Sequence, residues 1–462
     1  MAEVVVVGGG IAGLTAAYKV RQAGHAVRVL EAQAFPGGNV RTIARDGFRM
    51  EIGPHSFMGS SECVWRLTGE LALEHMAEPA RSASRNRYIY RSGRLHPLPM
   101  SAWSYLRTPL LSWRAKARVA FEPFIPGGAA ERETAWEFFS RRFGTEAATY
   151  IMSPFVSGIY AGDLTQLGAR AAFAKFWQFE KDSGSMICGA MKYMRAKRRR
   201  LAREGIAPRR GLFSFKGGLG LITESLAQTL DGCVHTRSRV ESMRYSGGRI
   251  LVKADGQQCL GDAAILAAPP QSAAAILAEA LPGALDTLHR IPMAPVALVH
   301  WTSTLPPGRF PSGFGFLVPR LYDLKVLGTI FASQLFSGRA PADKALFSSF
   351  FGGTQNPHAA DLPDSELEDL VWREHEQILH LPVGRPETLQ ILRYRGAIPQ
   401  LLPDHPERIA HLMQEAGRLP GLYLAGNYLT GVGIEHAVES GFQAAERCLR
   451  FLHSRRESSH EQ

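Results

Sequence analysis

The sequence predicts an α/β fold built on a Rossmann-like dinucleotide-binding unit, with a mixed-sheet domain and a helical insertion added to it. Three observations point there. An uninterrupted apolar strand runs straight into a glycine-rich turn and then into a helical pattern. At 462 residues the chain is longer than a single core of roughly 250–300 residues supports. A long middle segment reads as helices and differs in charge from everything around it.

Val4-Val5-Val6-Val7 is β-branched throughout, as a strand buried on both faces should be. Gly8-Gly9-Gly10-Ile11-Ala12-Gly13 follows at once, and Leu14, Ala17 and Val20 recur at helical spacing up to Gly24. Ala26–Leu30 is a second apolar strand that ends at Glu31 and Ala32. Each glycine has a task. Gly8 permits the tight turn, Gly10 lets the main chain approach a pyrophosphate, and Gly13 lets helix and strand pack closely. The free N–H groups of the helix start, at Ile11 and Ala12, suit phosphate. Glu31 stands where an acid accepts hydrogen bonds from the adenosine ribose.

Pro36-Gly37-Gly38-Asn39-Val40-Arg41-Thr42 comes next, a second glycine pair followed by an arginine. Placed after the ribose acid, it resembles the extended motif of the flavin amine oxidase superfamily. That resemblance implies FAD rather than a nicotinamide. It also implies that Gly53-Pro54-His55-Ser56 sets main chain against the flavin. Three later segments are expected to return to the cofactor. They are Phe215–Leu219 opening a helix, a strand around Val240 beside adenine, and Leu422–Asn427 with Gly431-Val432-Gly433-Ile434 leading into a last helix. Gly426, Asn427, Val432, Gly433 and Ile434 would close the flavin site.

Asn86-Arg87-Tyr88-Ile89-Tyr90, Ser157-Gly158-Ile159-Tyr160-Ala161-Gly162-Asp163, Gly313–Pro319, Ala397–Gln400 and Gly431–Ile434 lie in order along nearly the whole chain. Together they resemble the FAD-dependent, oxygen-using protoporphyrinogen oxidase family. The resemblance implies oxidation of protoporphyrinogen IX by hydride transfer to flavin, with O2 as acceptor. It implies Arg87 gripping a propionate, with Phe314, Gly315, Leu317 and Phe350 against the macrocycle. No protein acid or base is nominated, because the flavin carries the chemistry. The chain departs from the family pattern at Glu435-His436, where an Asp-Cys pair is usual, and at Phe350, where Met is frequent. These departures bear on which porphyrinogen is accepted, so coproporphyrinogen III stays open as the alternative. A tetrapyrrole-binding flavoprotein without turnover is a reading of another class.

The net charge is +11, but residues 81–210 carry 24 Lys/Arg against 9 Asp/Glu, so the remainder is slightly acidic. Trp103, Tyr105, Leu106, Leu110, Leu111 and Trp113 accompany Arg107 and Arg114, and Lys192–Arg203 is densely basic. Apolar, aromatic and basic residues together suit an anionic membrane surface. No nucleic-acid-binding motif accompanies the charge. The five cysteines form no C-x-x-C pair, so no metal site is expected. Met1-Ala2-Glu3 offers no basic leader, and prolines interrupt the longest apolar stretch. The expected location is the cytoplasm, peripheral on the inner face of the cell membrane, and a homodimer is left open. The expected division gives residues 1–60, 207–270 and 418–462 to the FAD-binding domain. Residues 61–95 and 271–417 go to the substrate domain, and 96–206 to the helical domain.

Overall fold

The computed structural model describes residues 1–205, 207–303, 305–382 and 385–458. Residue 206, the expected end of the helical domain, and residues 459–462, the expected end of the cofactor unit, lie outside the described residues.

Glu3–Val7 forms the middle of a five-stranded parallel sheet, flanked by Ala26–Leu30 and Ala263–Leu266, with Val234–His235 and Leu422–Leu424 at the edges. Val4, Val5 and Val6 are fully buried, which is why this strand has no polar alternation. One face of the sheet packs on the helix Ile11–Gln22, which lies against the C-terminal helix Ile434–Ser458. The two helices approach closely, since a Cβ on Gly441 would fall 2.4 Å from the Ala12 carbonyl oxygen. The other face receives a three-stranded antiparallel sheet, Val240–Ser246, Arg249–Ala254 and Gln257–Gly261. Val240 therefore stands on this added sheet and not in the parallel one.

A seven-stranded mixed sheet forms the second body, in the order Glu387–Pro399, Met293–Thr302, Phe347–Gly352, Val326–Ile330, Gly315–Leu317, Arg87–Arg91, Arg94–Pro97. Its pairs are antiparallel except that of Gly315–Leu317 with Arg87–Arg91. Apolar packing crosses the expected domain limits at two places. Val64, Trp65 and Leu67 of the helix Glu62–Glu70 bury in the cofactor core, as the segment 61–79 lies over that unit. The helices Pro270–Leu277, Pro282–His289 and His405–Ala416 likewise pack beneath Val5 and Val7.

Residues 102–203 fold mainly as helices around Phe138, Phe139, Phe173 and Trp177. The stretch 173–203 of this helical segment forms two helices, Ala174–Ser183 and Met186–Arg203. Gly184 takes φ +69° and ends the first, and Ser185 caps the second through its hydroxyl on the Cys188 N–H. Both are turn signals legible in the sequence. No helix among the described residues is long and apolar enough to cross a membrane.

Candidate functional site

At the carboxyl end of the parallel sheet the glycine turn makes a cradle. Gly8 has φ +102°, and a Cβ there would lie 2.6 Å from the Ala267 oxygen. A Cβ on Gly13 would strike the Gly8 oxygen at 2.0 Å. These two glycines are fixed by the protein's own packing. Gly10 differs, because a Cβ there meets nothing nearer than Gly38 Cα at 4.0 Å. The helix Ile11–Gln22 begins at Gly10 with no side-chain cap and no acid in its first turn. Its orphan N–H groups and dipole face that open space, a good setting for a diphosphate.

The second glycine pair closes on the first. Gly37 N–H donates to the Gly9 oxygen at 2.7 Å, Gly10 bridges to Gly37, and Gly38 takes φ +56°. Glu31 is buried. One of its oxygens accepts from the Gly9 N–H at 2.6 Å and the other from the Gln33 N–H at 2.7 Å. A carboxylate retains further acceptor sites beyond these two, so Glu31 both orders the turn and is left able to meet a ribose hydroxyl. Ser238 N–H donates to the Glu31 oxygen at 2.8 Å, which brings the strand of Val240 beside the same end. Ala32 and Asn39 are exposed, and the half-buried Arg41 stacks its guanidinium 4.9 Å from the Phe35 ring.

The loop Gly53–Ser56 crosses between the two bodies. Gly53 is pressed on Asn39, and Tyr394 O–H donates to the Ile52 oxygen at 2.6 Å, tying the mixed sheet to this loop. The imidazole of His55 faces protein. Nδ1 lies 3.2 Å from the Gly53 oxygen and Nε2 3.1 Å from Ser348 Oγ, which also contacts His300 Nδ1 at 2.9 Å. Burial, reinforced by Arg339, pushes His55 down to about 4. The neutral ring is structural, and only the main chain of the loop, with Pro54 and Ser56, is left to meet a cofactor. His96 contacts the Arg91 oxygen, and His436 packs on Gly431 with its pKa lowered by burial. From the other end of the chain, Gly426 N–H donates to Ser440 Oγ at 3.0 Å, Gly431 N–H donates to the Asn427 oxygen, and Val432-Gly433 lead into the helix at Ile434. Val432 packs against the core of the helical body, so cofactor segment and insertion meet there.

Arg87, Gly315, Leu317 and Phe350 lie on strands of the mixed sheet, and Phe314 immediately precedes the strand Gly315–Leu317. Arg87 stands opposite Gly315 in the parallel pair, its guanidinium carbon 5.1 Å from the Phe314 ring centre. The side chain is half-buried without an ion pair among the described residues, and burial lowers its pKa. Leu317 packs on Gly158, where a Cβ would lie 2.5 Å from Leu317 Cδ2. Phe350 sits edge-on to His55 at 6.3 Å and joins Ala161, Leu327, Ala397 and Ile398 in a small apolar cluster. An apolar wall thus stands beside the loop Gly53–Ser56. Sequence reasoning quoted Ala161 and Ile398 within motifs but gave them no role, and Ser348, His300 and Tyr394 went unnoticed, since only the tertiary fold brings them there.

A dinucleotide cradle of three chain segments, set against an apolar wall on a second sheet, defines a flavoprotein oxidoreductase. The chain belongs to the flavin containing amine oxidoreductase family, whose model matches residues 11–449. It is similar, at 30% identity over 480 residues, to protoporphyrinogen oxidase 1, chloroplastic, of Arabidopsis thaliana, covering 97% of this chain and 88% of that one. It is similar to the coproporphyrinogen III oxidase of Bacillus subtilis (strain 168) at 29% identity over 476 residues, covering 98% and 99%. Among solved structures it resembles a protein from Exiguobacterium sp. 255-15, provisionally named protoporphyrinogen oxidase, with TM-score 0.81, 26% identity and coverage of 96% and 98%.

Proposed function

We propose that this protein holds FAD and oxidises a porphyrinogen to a porphyrin by three two-electron steps, with O2 reduced to H2O2 at each. The observation that carries this reading is the half-buried, unpaired Arg87 at the end of an apolar wall next to the Gly53–Ser56 loop. A flat apolar macrocycle with carboxylate arms fits that combination. The names of the relatives support the same chemistry and include both protoporphyrinogen and coproporphyrinogen III. FAD is preferred over a shorter flavin because the uncapped helix start with open space at Gly10 suits a diphosphate and the buried Glu31 suits a ribose.

When bound, the flavin would supply the hydride acceptor. The chain's own residues position the macrocycle and keep water out. Phe350, Leu317 and Ile398 offer its faces dispersion contact, and Arg87 fixes one edge by a charge-assisted pair. Anaerobic addition of porphyrinogen tests turnover: the flavin absorbance near 450 nm (roughly, for any flavin) bleaches, and porphyrin fluorescence grows in. An unbleached flavin with bound tetrapyrrole would instead favour a carrier.

Arg87→Ala is expected to raise KM for porphyrinogen about 10–100-fold, corresponding to a charged hydrogen bond of roughly 1.5–3 kcal/mol. The flavin content of the variant should be unchanged. An unaltered KM would remove Arg87 from the substrate site.

We further propose that the helical body rests on an anionic membrane face, with the protein peripheral to the cytoplasmic side. Trp103 and Trp113 are 62% and 70% exposed, and Met100, Leu106, Phe121 and Phe124 are exposed beside them. Arg107 and Lys116 lie over the two indoles at 4.1 and 4.3 Å, around an open groove of about 540 Å³. The expected patch is narrower than the sequence suggested, since Leu110 and Leu111 are buried. Of the basic run, Lys197 and Arg200 pair with Glu62, which leaves the exposed Lys192, Arg195, Arg198, Arg199 and Arg203 for lipid headgroups. Co-sedimentation with anionic vesicles should be strong at low salt and weak at high salt. Equal recovery in the supernatant at both would dismiss this surface.

A further inference from the structure

A second arginine, in the turn that follows the strand Gly315–Leu317, is not used by the proposed function. Arg320 follows Pro319 at the far end of the Gly313–Pro319 segment from Arg87. It is half-buried. Its Nη2 donates to the Gly352 oxygen at 3.1 Å, and its Nε is buried with no hydrogen-bond partner in the structure. Asp163 is the nearby carboxylate, but the two form no ion pair among the described residues, and Asp163 Oδ1 accepts from the Thr165 N–H. A guanidinium withdrawn from water with donors to spare calls for an anion, and a carboxylate matches its planar fork.

Its position relates it to the apolar wall. Gly352, whose main-chain oxygen takes the Arg320 hydrogen bond, follows Phe350 by two residues at the end of the strand Phe347–Gly352. A Cβ on Gly353 would lie 3.1 Å from Arg320 Nη2 and 2.5 Å from the oxygen of Ala161, a member of the Phe350 cluster. Arg87 pairs in register with Gly315, five residues before Arg320. Extended chain covers at most about 17 Å over that interval. Two arginines without carboxylate partners thus bracket Leu317 and Phe350 from opposite ends.

We propose that Arg320 is a second carboxylate anchor, and that the preferred substrate is a porphyrinogen with carboxylate arms on opposite sides of the ring. This rests on the reading of the protein as a porphyrinogen oxidase. Protoporphyrinogen IX carries its two propionates on one side, where one arginine end serves both. Coproporphyrinogen III carries four, distributed around the macrocycle, and engages both ends at once.

The test compares wild type, Arg320→Gln and Arg320→Lys, each as flavin-loaded full chain with matched thermal melts. Readouts are kcat/KM for the two porphyrinogens and equilibrium binding of the product porphyrins, coproporphyrin III and protoporphyrin IX. Wild type should favour the four-propionate substrate. In Arg320→Gln, kcat/KM and binding should fall at least tenfold further for the coproporphyrin series than for the protoporphyrin series, and Arg320→Lys should restore part of the loss. Equal losses for both series would mark Arg320 as a clamp on the Ala161–Gly353 contact and overturn the proposal, as would no loss in either. If wild type keeps its flavin but oxidises neither porphyrinogen, the functional reading fails by itself, and the binding ratio still decides the role of Arg320.

Discussion

Gly10→Val should yield a folded protein that has lost its flavin. The main chain at Gly10 has φ −71° and ψ 172°, a conformation open to any residue. The nearest heavy atom to an added Cβ is 4.0 Å away, so the polypeptide itself accommodates the branch. Valine at a helix start costs about 1 kcal/mol. The space it fills is the one the diphosphate needs, and affinity should drop at least ~100-fold, about 2.7 kcal/mol. Gly13→Val is the contrasting case. Its Cβ would overlap a main-chain oxygen at 2.0 Å that no side-chain rotation relieves. That variant should lose about 3 kcal/mol or more of stability. Flavin absorbance after gel filtration, set beside a urea melt, separates the two. A yellow Gly10→Val protein would place the cofactor elsewhere.

Stability should fall steeply between pH 6.5 and pH 4. Burial lowers His55, His375 and His405 to about 4 and His300 to about 3. In the unfolded chain these groups titrate near 6.5. Within that window the unfolded state binds protons that the folded state refuses, so stability rises with pH and is lost as pH falls. Glu51 acts in the opposite sense. Burial raises it to about 7, so the folded state keeps a proton that the unfolded chain releases above about 4.5, offsetting one histidine. Three net protons at about 1.4 kcal/mol each give a slope of about 4 kcal/mol per pH unit near pH 5. Urea midpoints measured from pH 7.5 down to 4.5 check this. A flat profile would mean that the imidazoles are hydrated.

The cofactor cradle was legible because its information is local. The run Val4–Val7, the turn Gly8–Gly13 and the acid Glu31 stand within one βαβ unit, and spacing alone orders them. The β-strand at Leu422 was visible as a short apolar run, and pattern and motif together assigned it to the cofactor unit. What stayed hidden depends on tertiary contact. Nothing in the residues around Trp65 says that this helix belongs under the cofactor and not with Arg87. Ser348 reads as an ordinary strand serine until His55 and His300 arrive on either side. Arg320 reads as a surface turn residue following a proline, and its withdrawal from water depends on Gly352 and Ala161, which come from a distant strand and a distant helix end.

The parallel sheet has a consequence for synthesis on the ribosome. Its edge strand Leu422–Leu424, and the long helix that seals the glycine turn, emerge about 400 residues after the central strand Glu3–Val7. Domains otherwise fold N-terminal first during translation. Here the nascent βαβ unit waits, its apolar flank bare, until those distant segments have been made. Prosthetic-group loading is thereby deferred, and products truncated before Leu422 should be colourless, aggregation-prone and dependent on chaperones.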